Sequence, residues 1–82
     1  MEIVWDDTKR LTNLDKHKLD FADLTPEFFV AAIIQPTRSR RFKAIARNGD
    51  LIISVVFSML GSQALSIISM RPASKKEKEL LK

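Results

Sequence analysis

The chain contains no cysteine and a single histidine. Without thiols it can form neither a disulfide framework nor a thiolate metal site, and one imidazole with no cysteine beside it argues against zinc. Long hydrophobic runs are missing as well. The longest, Leu51 to Leu60, is interrupted by Ser54 and Ser58 and falls well short of the roughly 20 apolar residues that a bilayer-spanning helix needs. Acidic Glu2 and Asp6 stand where a signal peptide would carry basic residues. No repeat or low-complexity segment is present. These absences point to the cytoplasm, to no membrane partner and to no bound cofactor or metal.

What is there is the composition of one globular domain, residues 1–82, with 45% hydrophobic and 29% charged residues and room for only a limited core. The net charge of +4 conceals an asymmetry. Up to Glu27 there are seven acidic residues against four basic, whereas the remainder has ten basic against three acidic. A polyanion is drawn to the second part; the acidic first part can orient it or meet a protein partner.

Glu2 to Trp5 is a short extended segment, and Asp6 or Asp7 can cap a helix running to about Lys18. A second helix is expected from Phe21 or Thr25 to about Val30, since Thr25-Pro26-Glu27 supplies a cap, a proline for the first turn and an early acid. The segment from Val30 to Gln35 either extends that helix or starts a strand, and Pro36 closes it. From Arg41 to Arg47 the pattern alternates: even positions are apolar, and Arg41, Lys43 and Arg47 share the other face. Asn48-Gly49 is a turn signal in which both residues tolerate positive φ. The nearly unbroken apolar run Leu51 to Ser58 predicts a central strand, and Ala64 to Met70 a third strand of a meander. Ser74-Lys75-Lys76-Glu77 is a capping box opening a short basic helix that only Leu80 and Leu81 can anchor, so that it is expected to be mobile or to need a partner. The expected fold is α+β, with N-terminal helices on an antiparallel three- to four-stranded sheet and a short C-terminal helix.

One helix stands out. At about 100° per residue, with Lys9 as zero, Asn13 falls near 40°, His17 near 80° and Lys16 near −20°, while Leu11 and Leu14 lie on the far side. Its polar face gathers two amines, an amide and the only imidazole, a set suited to phosphate. Trp5 and Phe21 are expected to pack this helix to the core, Asn13 to bond backbone or order a neighbour, and Glu77 to act as the capping-box acid.

Three groups of residues resemble the BrnT-type toxins of bacterial toxin–antitoxin systems. They are Trp5, Asp6, Lys9, Asn13, Lys16, His17 and Phe21 in the opening run; Arg41-Phe42 at the start of the alternating strand; and the ending Ile67 to Glu77. The likeness covers nearly the whole chain. Departures are Lys18 and Ala46 where the family usually has glycine, Ser66 for a basic residue, Pro72 for a second arginine, and a compressed loop, Thr37 to Arg40. The resemblance implies a RelE-like fold and a metal-independent ribonuclease that stops translation. It also implies neutralisation by a ribbon-helix-helix antitoxin, in a heterotetramer that reaches DNA only through the antitoxin.

Cleaving RNA without a metal requires a base for the 2′-hydroxyl proton, a cation for the charge growing on the phosphate and an acid for the leaving oxygen. His17 is the residue type that titrates near neutrality, and Lys9, Arg41 and Arg71 are candidates to hold the scissile phosphate. These four are the expected catalytic residues, with Lys16, Lys43, Arg47 and Lys75 expected to bind RNA. Each has a plainer alternative: His17 at a helix end favouring its dipole, Lys9 paired with Asp6, and Arg71 bonded to the sheet end or a cap carbonyl. The rival functional expectation is a catalytically inactive RNA-binding or antitoxin-binding module that acts in transcriptional autoregulation.

Overall fold

The computed structural model describes residues 1–81. In chain order it contains β1 (Glu2–Trp5), α1 (Asp7–His17), a 3-10 turn (Phe21–Asp23), α2 (Pro26–Ala31), β2 (Ile33–Pro36), β3 (Arg41–Asn48), β4 (Leu51–Leu60), β5 (Ala64–Pro72) and α3 (Lys75–Glu79). The strands form one sheet in the order β1-β5-β4-β3-β2. The β3-β4-β5 meander is antiparallel and β4 is central, as its two-sided apolar run predicts.

The sheet has five strands and is mixed, not an antiparallel sheet of three or four. β1 pairs parallel with β5, Glu2 opposite Ala64 through Trp5 opposite Ile67. Four residues are too few to show an alternation, and their partner lies at the far end of the chain. At the other edge, Ile33–Pro36 pairs antiparallel with β3. Ala32 ends α2 in an extended conformation, φ −77° and ψ 152°, and the β-branched Ile33 and Ile34 continue as strand. Helix placement also departs from expectation. Phe21–Asp23 is a separate 3-10 turn capped by the Asp20 carboxylate, and α2 begins after Thr25, whose hydroxyl accepts from the Phe28 N–H at 3.4 Å. Asp6 occupies the N-cap position of α1, yet no side chain caps that end.

The core lies between one sheet face and the helices. Phe42, Ala44 and Ala46 of β3 and Ile53, Val55 and Phe57 of β4 point into it, against Phe21, Leu24, Phe28 and Phe29. Phe57 is gripped on two sides, edge-on by Phe29 at 5.4 Å and stacked by Phe42 at 5.7 Å. Trp5 meets Phe21 edge-on at 6.4 Å. On β5 both Ile67 and Met70 are core residues. An odd spacing would put them on opposite faces of a regular strand, so a bulge is required. Val56 pairs with Ser69 and Phe57 with Ile67, which leaves Ile68 as the extra residue.

Turn geometry carries strain in three non-glycine residues. Lys18 closes α1 at φ 60°, its N–H donating to the Leu14 carbonyl at 2.9 Å. Ser39 and Arg40 are both left-handed, φ 61° and 60°, in the turn that the Arg41 N–H closes on the Arg38 carbonyl. Between β3 and β4, by contrast, only Gly49 has positive φ; Asn48 remains in the strand opposite Leu51.

Candidate functional site

α1 does not sit as a usual amphipathic helix. Its buried residue is Asn13, 5% exposed, whereas Leu11 is 59% exposed. The polar stripe runs along the sheet edge, with Asn13 buried and Lys9 and Lys16 exposed, where β1 ends at Trp5 and leaves the C-terminal half of β5 with an open edge. Asn13 fills the missing strand's role. Its Oδ1 accepts from the Met70 N–H at 2.9 Å and its Nδ2 donates to the Leu19 carbonyl at 3.1 Å. The next position along that edge is Pro72, which has no N–H to satisfy.

Between this stripe and the sheet edge lies a cleft of about 240 Å³. Thr8, Lys9, Thr12, Lys16 and His17 line it from α1, Ile68 and Ser69 from β5, with Asn13 also lining it. The expected stripe is therefore brought together around one cavity. His17 is the last helical residue, so its ring sits where the helix stops and the chain turns away. Neither Lys9 nor Lys16 is in an ion pair among the described residues; the pairing of Lys9 with Asp6 is not formed.

Ser69 links the cleft to the outer face of the sheet. Register places it in a row with Val56 and Lys43, beside a row of Arg71, Ser54 and Ile45. Arg41 lies further along, opposite Ser58, and Arg47 at the other end, opposite Ile52. Both are exposed, as is Lys75 on the first turn of α3.

The hub of this face is Glu77, only 5% exposed. Its capping box with Ser74 is present: Ser74 N–H donates to Oε1 at 2.8 Å, and Glu77 N–H to the Ser74 hydroxyl at 3.2 Å. The same carboxylate takes Arg71 end-on, Nη1 to Oε1 at 2.8 Å and Nη2 to Oε2 at 3.0 Å. Lys43 Nζ reaches Oε2 at 2.9 Å, and the Ser54 hydroxyl donates to it at 3.3 Å. Burial alone would raise the Glu77 carboxyl. The Arg71, Ser74 and Lys43 hydrogen bonds outweigh that and hold it well below the usual carboxylate range.

Glu77, not Leu80 and Leu81, is thus what fastens α3 to the sheet; Leu80 remains 43% exposed. Sequence reasoning found the cap and missed the hub. Ser54 was the available signal, since a polar side chain inside a central apolar strand needs a buried partner. Of the expected catalytic set, Lys9 and His17 share the cleft, Arg71 is held by Glu77, and Arg41 stands apart on the same face as Arg71.

Fold and site together define a small α+β protein with a cationic cleft opening beside a cationic sheet face. Residues 5–77 match the family model described as the ribonuclease toxin, BrnT, of type II toxin–antitoxin systems. This chain belongs to that family. It is similar to the crystal structure of the Brucella abortus ribonuclease toxin BrnT, with 55% sequence identity over 92% of this chain and 99% of that one and a TM-score of 0.86. No curated protein matches it. It is accordingly a toxin-family member of a toxin–antitoxin system, and no helix among the described residues is long and apolar enough to cross a membrane.

Proposed function

We propose that this chain is an active, metal-independent endoribonuclease of the cytoplasm that cleaves RNA and inhibits translation. The observation carrying this reading is the cleft, where an imidazole and two amines without ion-pair partners converge beside the face that carries Arg71, Lys43 and Arg41. In the proposed reaction the RNA 2′-oxygen attacks the adjacent phosphorus and loses its proton. The 5′-oxygen leaves with a proton, giving a 2′,3′-cyclic phosphate and a 5′-hydroxyl. His17 is the proton-transfer group, and Lys9, Arg41 and Arg71 stabilise the charge that grows on the phosphate oxygens. Lys16, Lys43, Arg47 and Lys75 hold the strand on either side.

Family membership supports an antitoxin partner, and the excess of acid before Glu27 offers a surface for it. We assign that partner to the ribbon-helix-helix type, in a heterotetramer that binds DNA through the antitoxin.

The test is induction of the chain in bacteria, followed by cleavage of RNA by the purified protein in the presence of a chelator. Growth arrest and chelator-resistant cleavage are expected, with His17→Ala lowering the cleavage rate about a hundredfold or more. Unimpaired growth, with Lys9→Ala, His17→Ala and Arg71→Ala indistinguishable from the parent, would overturn the reading. One observation favours the rival, a catalytically inactive binding module: two of the face's cations are already paired with Glu77. Such a module would bind RNA or antitoxin without cutting.

A further inference from the structure

The hydrogen bonds of Arg71 leave one particular part of its guanidinium unused. Both hydrogens of Nη1 are taken, one by Glu77 Oε1 at 2.8 Å and one by the Pro72 carbonyl at 3.1 Å. One hydrogen of Nη2 goes to Glu77 Oε2 at 3.0 Å. What remains is Nε–H and the second hydrogen of Nη2, which point the same way along one edge of the planar group. That edge is a parallel fork matched to two oxygens of a phosphate. The Arg71 side chain is 40% exposed, whereas the carboxylate behind it is 6% exposed, so solvent reaches the arginine and not its holder. Lys43 Nζ is ion-paired with the same Oε2 at 2.9 Å and, among the described residues, has no second carboxylate partner.

We propose that Glu77 is the positioning residue of a phosphate seat: it fixes the end of Arg71 and one hydrogen of Lys43, and presents the Nε–Nη2 edge of Arg71, with Lys43 beside it, to one phosphate of an RNA strand. Glu77 touches no substrate. Its saturated, buried carboxylate removes the rotational freedom of two long side chains before RNA arrives, so that ordering them is not charged against binding. Arg71 without Glu77 would keep its charge and lose its aim. This inference rests on the ribonuclease reading for the identity of the strand, and its main readout, the Arg71 Nε–H signal, is independent of cleavage.

The experiment follows the Arg71 Nε–H signal by nitrogen-15 NMR in the full chain. The probes are inorganic phosphate and an RNA dinucleotide whose 2′-hydroxyl is methylated to prevent cleavage. A saturable shift with both is expected, and its loss in Glu77→Gln while the amide spectrum stays native. Arg71→Lys keeps a cation that can still reach Glu77 but has no fork; its cleavage rate is expected to fall about tenfold, close to that of Arg71→Ala. The seat is overturned if the Nε–H signal ignores both probes, if Glu77→Gln leaves its response intact, or if the parent cuts RNA and Arg71→Lys cuts it equally fast. A shift with inorganic phosphate alone would mark a free-anion site and overturn the assignment to RNA. A parent protein that shifts but cuts nothing would refute the ribonuclease reading and leave the seat standing, and the reverse result would do the opposite.

Discussion

Two arginine–carboxylate pairs in this small domain are both held by two hydrogen bonds, and they use different edges of the guanidinium. Arg10 offers Nε and Nη2 to Asp20 at 2.7 and 2.9 Å; Arg71 offers Nη1 and Nη2 to Glu77. The first pair uses up the fork that suits a phosphate, and it joins α1 to the 3-10 turn as a clasp between two chain segments. The second leaves that fork free. Their carboxylates differ too. Asp20 is half-buried and, among the described residues, shares itself with Arg10 and the Ala22 N–H, whereas Glu77 is enclosed by donors from β3, β4, β5 and its own cap. A clasp and a seat can thus be made from the same two residue types, and which one results depends on the edge engaged and on what surrounds the acid.

The largest effect should come from removing the enclosed acid. Glu77→Ala leaves Arg71, Lys43 and Ser54 without their shared acceptor and releases α3. A loss of about 3 kcal/mol is expected in urea unfolding, at the low end for a buried ion pair because both cations can rehydrate. A loss no larger than that of Asp20→Ala would erase the distinction between the two pairs.

Acid should separate them next. Both carboxyls are depressed, Asp20 to about 2 mainly by its hydrogen bond to Arg10. Each therefore contributes stability that is complete above the unfolded-state value of about 4 and is lost as pH falls toward the folded-state value. Unfolding midpoints measured from pH 6 downward should begin to drop near pH 4, and the drop should be flattened more by Glu77→Gln than by Asp20→Asn.

The smallest effect tests the clasp itself. Lys18 holds its left-handed turn between Arg10's helix and Asp20 at the cost of Cβ strain. Lys18→Gly should raise stability by about 1 kcal/mol. If it does not, the Arg10–Asp20 clasp is not working against strain at that turn.

How far the chain discloses these things depends on whether the information is local. Asn13 was legible as a backbone-bonding residue, but not as the stand-in for a missing strand, because that requires knowing where β1 ends against β5. Lys9, Lys16 and His17 were legible as a stripe from spacing alone, and the structure sets that stripe along one cleft. The capping box of Ser74 and Glu77 was readable from two residues at the right separation. That the same acid would also collect Lys43, Ser54 and Arg71 was not, since those residues come from three strands.

The sequence by itself determined the β3-β4-β5 meander, the central place of β4 and the cap of α3. Each follows from side-chain periodicity or from a bond between near neighbours in the chain. Only the tertiary structure decided the parallel pairing of β1 with β5, the bulge at Ile68, the burial of Asn13 and the enclosure of Glu77. These depend on segments that meet only after the chain has folded back on itself. Burial, which decides whether a carboxylate becomes a clasp or a hub, is a property of that meeting and of no single stretch of residues.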